Sequence, residues 1–294
     1  MIIVQIALNA LSLGAAYALV AIGFVLVLNA TTAVNFAHGE SVVAGGFAAV
    51  ALAVLLPADT GLPGFVLLPG VLVITALLGL AIGAVAYLPI RNRPPIAVFV
   101  TTIAVGIIIT NGLNATFGAA PRTVPALLGT GTIEGAGVSI SFQALAIIAT
   151  ATGLILGLAI LLQRTQLGRQ LRACSQDPEM ARALGIRLTR ITMLAFALGA
   201  AFAGAAGLLL AHQFFVSPSD GGILILKAYI AVVIGGWGSL RGAAAGALLI
   251  AFFEVGVATI ASQPLAEGAL YVVVLLVLFF RPQGLFGEPQ QVRV

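Results

Sequence analysis

Four long stretches of the chain contain no Asp, Glu, Lys or Arg, and this feature restricts the fold more than any other. They cover residues 60–90, 94–121, 135–163 and 191–219. Each is longer than the ~20 residues that an α-helix needs to cross the hydrocarbon core of a membrane. The stretches are continuously apolar, whereas the strands of a membrane β-barrel alternate between apolar and polar residues. Backbone groups in lipid must be satisfied internally, so the sequence predicts a bundle of membrane-spanning helices.

The low charge of the chain excludes an ordinary soluble domain. Only 7% of its 294 residues are charged and 61% are hydrophobic, whereas soluble domains carry about 25% charged residues. The net charge is +4, and the basic residues cluster in a few loops between the apolar segments. We therefore interpret the positive charge as a property of membrane topology and expect membrane lipid, not nucleic acid, as a partner.

The hydropathy pattern predicts an all-α, polytopic helix bundle of about eight to nine transmembrane segments. We place these segments near 4–28, 38–57, 65–89, 95–117, 141–163, 191–213, 223–236, 243–261 and 265–281. The seventh segment is short and ends in a glycine-rich stretch, so we expect a broken or half-spanning helix near 223–242.

The distribution of arginines predicts how the bundle lies in the membrane. Arg91 and Arg93 mark one loop, six arginines lie in the loop 164–190, and Arg281 and Arg293 follow the last segment. Cytoplasmic loops are enriched in Lys and Arg, so these three regions are predicted to be cytoplasmic. Nine crossings then place the N-terminus outside the cell and the C-terminus inside.

The loop 164–190 contains a segment with the signals of a short capped helix. Asp177 is a good N-cap, Pro178 suits the first helical position, and Glu179 places negative charge at the positive end of the helix dipole. Gly185 can adopt the left-handed conformation that ends a helix. A helix this short is marginal alone in water, so we expect it to pack against the ends of the spans or against a partner protein.

Four segments together resemble the permeases of branched-chain amino acid ABC transporters. Residues 172–186 read RACSQDPEMARALGI and are similar to the coupling loop of that family. Residues 34–40 read VNFAHGE and resemble the signature that follows the family's first span. The glycine-rich segments 226–242 and 280–287 resemble those near its C-terminus. The likeness runs in order along nearly the whole chain and is greatest for the H-type subunit of the high-affinity branched-chain amino acid uptake systems.

The resemblance implies a single transmembrane permease domain over residues 1–294 that works within a larger assembly. It implies a second homologous permease subunit, two ATP-binding cassette subunits that use ATP and Mg, and an extracytoplasmic substrate-binding protein. The outer stretch 118–140 is the best candidate to dock that binding protein. On this interpretation a coupling helix contacts one ATPase, and its residues are Asp177, Pro178, Glu179, Met180, Ala181, Arg182, Ala183, Leu184 and Gly185.

The chain lacks the residues from which a nucleotide or metal site is built. A phosphate-binding P-loop requires Gly-Lys followed by Ser or Thr, but the single lysine, Lys227, lies between Leu226 and Ala228. Two histidines and one cysteine are too few for a zinc site. We therefore expect no bound cofactor, no catalytic residue and no enzymatic activity in this chain, with ATP hydrolysis confined to partner subunits.

Polar residues within the apolar segments are candidates for the translocation path. Asn35, His38, Glu40 and Ser41 lie at the predicted start of the second span, near the inner face. Ionisable groups in the membrane are often functional, so these four residues are expected to line the path or its gate. The alternative is a hydrated helix start in which Glu40 acts as a charge near the cap.

Lys227 and Glu254 are predicted to lie at a similar depth in the seventh and eighth segments. Isolated charges in the membrane are costly, so we expect the two side chains to form an intramembrane charge pair. A contact with substrate is the alternative role for them.

These features predict the permease subunit of an ATP-driven ABC importer for branched-chain or similar amino acids in the bacterial cytoplasmic membrane. The alternative is a stand-alone channel or secondary transporter for a small solute such as urea or an amide. Ion-coupled transporters usually carry a relay of intramembrane carboxylates or histidines. Here only Glu254 is predicted to lie deep in the membrane, and the capped cytoplasmic helix would have no role in such a protein.

Overall fold

The computed structural model describes residues 2–55, 64–129, 131–135, 138–281 and 283–286 of the chain. Within these residues the chain forms eleven α-helices and one β-hairpin. The helices are α1 (Ile2–Thr31), α2 (His38–Ala53), α3 (Leu68–Ile82), α4 (Pro95–Phe117), α5 (Phe142–Arg164), α6 (Gln166–Gln176), α7 (Pro178–Ala183), α8 (Leu188–Phe214), α9 (Gly221–Gly235), α10 (Leu240–Ile260) and α11 (Gln263–Phe280). The antiparallel strands of the hairpin are β1 (Thr132–Gly135) and β2 (Val138–Ser141).

Eight helical segments in the described part of the chain are long and apolar enough to cross a membrane. Two of them reach that length only with their flanking helical turns: α3 within Gly64–Ile90 and α9 within Pro218–Gly235. The helix α2 is apolar but has only 16 residues, about 24 Å of helix. The predicted all-α polytopic bundle is therefore confirmed, and its eight long helices with the shorter α2 agree with the eight to nine predicted segments.

The helices α1 and α8 form the centre of the bundle. In the most apolar 18-residue stretch of each helix, 94% of the residues of α1 and 78% of those of α8 are buried. The corresponding values are 17% for α4 and 11% for α11. Glycines of α8 face glycines of neighbouring helices: Gly199 lies against Gly23 of α1, and Gly204 lies against Gly45 of α2. Such pairs let backbones approach closely where lipid supplies no hydrophobic drive for association.

The chain breaks between α9 and α10, within the range where a broken or half-spanning helix is predicted. α9 has 15 residues, about 22 Å of helix and less than the ~30 Å hydrocarbon core. Gly236 and Gly238 have φ angles of 116° and 79°, which glycine adopts without a steric penalty. The hydroxyl of Ser239 then caps α10 by accepting from the Gly242 N–H at 3.0 Å.

The C-terminal end of α8 is covered by the segment that precedes the hairpin. The backbones of Arg122 and Val216 exchange hydrogen bonds of 2.9 and 2.8 Å, and the Nδ1 atom of His212 lies 2.8 Å from the Val124 carbonyl oxygen.

The hairpin was not predicted from the sequence. It lies within the stretch 118–140, which was predicted only as an outer loop.

The N-terminal end of α8 carries α6 and α7, so the capped helix and the hairpin lie at opposite ends of the bundle. Arg91, in the turn before α4, belongs to the same end as α7 because its guanidinium donates to the Thr189 hydroxyl at 3.2 Å. The structure thus gathers the arginine-rich loops at one end of the molecule.

Candidate coupling helix and translocation path

The short helix α7 is capped at both ends by its own residues. The Oδ1 atom of Asp177 accepts hydrogen bonds from the Glu179 and Met180 N–H groups at 3.0 and 2.9 Å. Gly185 has a φ angle of 82°, and the Ile186 N–H donates to the Ala181 carbonyl at 3.0 Å. These are the bonds of a side-chain N-cap and a left-handed C-cap, and they explain why a helix of one and a half turns keeps its shape.

One side of α7 packs against the protein and the other faces away from it. Ala181 is 2% exposed and belongs to a buried apolar cluster with Cys174 of α6 and Ile191 of α8. Met180 and Leu184 are 57% and 72% exposed. The helix therefore rests on α6 and α8 while it presents two large apolar side chains outward, which is the arrangement expected of a docking element.

A basic cavity lies beside α7. It has a volume of about 860 Å³, and the guanidinium-bearing residues along it are Arg91, Arg182, Arg187 and Arg190. The apolar tip formed by Met180 and Leu184 thus stands next to a concentration of positive charge. A partner that covers the apolar tip and the basic cavity would need an apolar pocket with acidic residues beside it.

Three of the four residues predicted for the path have structural roles in the protein interior. The Asn35 Oδ1 atom accepts from the Ala37 N–H, and the Ser41 hydroxyl donates to the Ala37 carbonyl, both at 3.1 Å. The His38 Nε2 atom lies 3.0 Å from the Val20 carbonyl oxygen in α1. Asn35, His38 and Ser41 are at most 5% exposed, so these bonds satisfy buried groups.

The depth predicted for these residues differs from the structure. From the sequence these residues are predicted to lie near the inner face, in an interfacial region. His38 instead contacts Val20, which precedes the end of α1 at Thr31 by roughly 16 Å of helix. The non-helical residues between α1 and α2 run back into the bundle, so α2 begins well inside it, and a hydrated helix start is not what the structure shows.

Glu40 is the one residue of this group that faces a cavity among the described residues. The cavity has a volume of about 320 Å³ and lies between α2, α4 and α9. A Cβ built on Gly106 would lie 3.2 Å from the Glu40 carboxyl carbon, and one on Gly221 would lie 2.8 Å from Oε1. Both glycines therefore make room for the carboxyl group. Its Oε2 atom is buried and makes no hydrogen bond with any described residue.

The structure brings Lys227 and Glu254 together in a buried ionic cluster. The Lys227 Nζ atom lies 2.7 Å from Glu254 Oε1, and the side chains are 10% and 3% exposed. The Lys227 ammonium also donates to the Tyr17 hydroxyl at 2.9 Å, and that hydroxyl donates to Glu254 Oε2 at 3.2 Å. The Gln263 amide donates to Glu254 Oε1 at 2.7 Å. Every oxygen of the Glu254 carboxylate is thus satisfied, as a buried charge requires.

The ionic cluster lies on the wall of a cavity of about 420 Å³ that is otherwise mostly apolar. Residues of α1, α2, α8, α9, α10 and α11 line it, and Phe214 and Val216 line it at the C-terminal end of α8. No group of three or more His, Cys, Asp or Glu residues in the described part of the chain is placed to hold a metal ion.

A profile described as "branched-chain amino acid transport system / permease component" matches residues 6–280, nearly the whole chain. The chain belongs to this family of permeases.

Curated relatives of the branched-chain permease family show the same relationship over nearly their full length. The chain is 32% identical to the high-affinity branched-chain amino acid transport system permease protein BraD of Pseudomonas aeruginosa, over 97% of this chain and 96% of that protein. It is 34% identical to the protein of the same description named LivH in Escherichia coli, with the same two coverages. Identity to LivH of Salmonella typhimurium is 33%. The resemblance stated from the sequence motifs is therefore confirmed.

The permease fold adds to the ionic cluster three residues that were not predicted from the sequence. Tyr17 comes from α1, and Gln263 and Glu267 come from the first turns of α11. A signal for the last two was available, because they are polar and four residues apart, which places them on one face of a helix. Nothing in the sequence indicated that this face meets Lys227.

Proposed function

We propose that this chain is the permease subunit of an ATP-driven importer that moves branched-chain or similar amino acids inward across the cytoplasmic membrane. The family membership supports the transport role. The observation that carries the ATP-driven part is α7, because it is rigidly capped, rests on the spans and exposes Met180 and Leu184. The lone lysine of the chain is not followed by Ser or Thr, which supports the proposal that partner ATPases bind the nucleotide and its Mg.

The packing of α7 supports a route by which an ATPase would move the spans. Force on Met180 and Leu184 would pass through Ala181 into the cluster that holds the start of α8. α8 in turn packs through glycine contacts against α1, α2 and α3. Close-packed interiors transmit displacements because they contain little free space. A tilt of α8 would therefore reach α2, which carries Glu40.

The charge distribution supports the orientation of the chain. The arginine-rich loops lie at the α7 end, which is cytoplasmic under the positive-inside rule. The N-terminus of α1 then lies outside, and the C-terminus lies in the cytoplasm. The hairpin end faces outward, where an extracytoplasmic substrate-binding protein would dock on the region 118–140. A second, homologous permease subunit would complete the path on the side of α4, many of whose apolar side chains are exposed.

The alternative of a stand-alone channel or secondary transporter has less support. The relatives named above are components of transport systems by their descriptions. Proteoliposomes that contain this chain alone provide a direct comparison, because a channel would pass solute without any ATPase. We expect no flux of leucine, urea or acetamide in that preparation.

Co-purification tests the coupling role. A double variant, Met180→Glu with Leu184→Glu, places two charges on the tip of α7. Purification of the tagged chain from its host membrane should recover ATPase subunits and a second permease with the wild type. It should recover less ATPase with the variant, because only the ATPase that contacts the second permease is still held. Leu167→Glu is the matched control, because Leu167 is 45% exposed on α6 at the same end of the bundle. Full recovery of ATPases with the double variant would refute the proposal.

A further inference from the structure

The cavity that contains Lys227 has one charged wall and otherwise mostly apolar walls. Leu210, Phe214 and Ile223 are among its apolar residues. Lys227 and Glu254 lie on the charged side, and they are 8% and 2% exposed. A purely structural ion pair does not need a cavity of about 420 Å³ beside it, and this volume lies within the range of ~300–1,000 Å³ that is typical of small-molecule sites.

The Lys227 ammonium has one hydrogen-bond donor left over. An ammonium group carries three donors, and two of them reach Glu254 and Tyr17 at 2.7 and 2.9 Å. The second carboxylate in the cluster is that of Glu267, whose Oε1 atom lies 3.6 Å from Nζ, beyond the range of a hydrogen bond. The third donor is therefore available to an incoming carboxylate.

The Glu267 carboxylate is available to accept hydrogen bonds from a cationic group. Among the described residues, the Gln263 amide donates to the Glu267 Oε1 atom at 3.4 Å, which is a long hydrogen bond. The side chain is 38% exposed. Because Lys227 is already neutralised by Glu254, Glu267 gives the cavity an excess of negative charge, which attracts a cationic group.

We propose that this cavity binds a free α-amino acid with an apolar side chain during its passage through the permease. The substrate carboxylate accepts from the third donor of Lys227, and the substrate ammonium donates to Glu267. Both groups sit on the same carbon atom of an α-amino acid, so one ligand contacts the neighbouring Lys227 and Glu267 side by side. The side chain lies against Leu210 and Phe214. This inference rests on the proposed transport of amino acids and specifies where and how the substrate is held.

The same geometry selects against other solutes. A monocarboxylate without an ammonium group would meet Glu267 with like charge, and an amine without a carboxylate would leave the third Lys227 donor unused. An acidic side chain would bring further negative charge into a cavity already lined by Glu254, Glu267 and Asp220. Unpaired polar groups in a site are a stronger source of selectivity than a missing methylene group.

Direct binding to the purified full chain in lipid nanodiscs tests the site. We expect radiolabelled L-leucine to bind, and we expect isocaproate and isopentylamine, which lack the ammonium and the carboxylate respectively, to compete at least about tenfold more weakly. Glu267→Gln should weaken leucine binding by about tenfold and should not weaken isocaproate binding. A residue that only supports the fold would not separate these two ligands. Thr259→Val is the matched control. Thr259 is exposed near the C-terminal end of α10, the helix that carries Glu254, and its hydroxyl donates to the Val255 carbonyl of the same helix.

Three results would overturn the site: no leucine binding by the wild type, equal competition by either analogue, or leucine binding by Glu267→Gln that equals the wild type. The wild-type arms do not depend on any variant folding correctly. The assay contains neither ATPase nor binding protein, so its failure would leave the co-purification result and the proposed importer role unaffected. Failure of the wild type to co-purify with ATPases would refute the importer role without changing the binding data.

Discussion

The backbone of Gly207 in α8 lies directly against the carbonyl oxygen of Val42 in α2. A Cβ atom built on Gly207 would come within 1.9 Å of that oxygen. The contact holds the short helix α2, and with it Glu40, against the central helix of the bundle. It therefore links the position of the candidate path to α8, the helix on which α7 rests.

Gly207→Ala should destabilise the permease, because the added methyl group forces α2 and α8 apart. Overpacking of this kind costs about 1–3 kcal/mol. The purified variant should show a lower midpoint of thermal unfolding. Gly153→Ala in α5 is the control, because a Cβ there meets nothing within 4 Å, and alanine favours a helix over glycine by roughly 0.5–1 kcal/mol. Equal midpoints for the two variants would show that the α2–α8 contact does not limit stability.

Reversal of the Lys227–Glu254 pair should be tolerated better than reversal of either member. Lys227→Glu or Glu254→Lys alone leaves two like charges buried, and loss of one partner of a buried pair costs about 3–5 kcal/mol. The double variant restores opposite charges, and the Tyr17 hydroxyl can donate or accept with either arrangement. Size-exclusion chromatography and thermal unfolding measure the outcome. A double variant as damaged as the single variants would contradict the pairing as the source of stability.

Glu40→Gln should slow leucine uptake while it leaves the fold intact or slightly more stable. The buried Oε2 atom lacks a hydrogen-bond partner among the described residues, and a neutral amide loses less solvation than a carboxylate, a difference on the order of 1 kcal/mol. Uptake by host cells and thermal unfolding of the purified chain report the two effects. Thr116→Val in α4 is the control, because its hydroxyl donates to Gly112 of its own helix. Normal uptake by Glu40→Gln would remove Glu40 from the path.

Labelling of Cys174 should depend on pH more steeply than labelling of an exposed thiol. Burial against α7 and α8 raises the pKa of the Cys174 thiol above its usual value. A raised pKa means less of the reactive thiolate at any given pH, so maleimide should react slowly with the folded permease near pH ~8 and faster as the pH rises past the ordinary thiol value of ~8.5. The denatured chain, which has the same single cysteine, provides the reference. Equal rates for folded and denatured chain would show that Cys174 is freely accessible.

The sequence by itself determined the features that depend on neighbouring residues. Continuous apolar stretches predicted the spanning helices, because a helix in lipid satisfies its backbone within one segment. Asp177, Pro178 and Gly185 predicted the limits of α7, because a cap is formed by residues within one turn of the helix end. The glycines near 235–238 predicted the break after α9 for the same local reason.

Only the tertiary structure decided which segments meet. Tyr17, Lys227, Glu254 and Gln263 come from four helices, and the Tyr17–Glu254 bond joins residues 237 positions apart. The depth of His38 is set by its bond to Val20 and by the glycine contacts of α2, and hydropathy does not encode either. In lipid the apolar faces of a helix look alike, so the choice of partner rests on shape and on a few buried polar bonds. Those contacts exist only after the helices have packed.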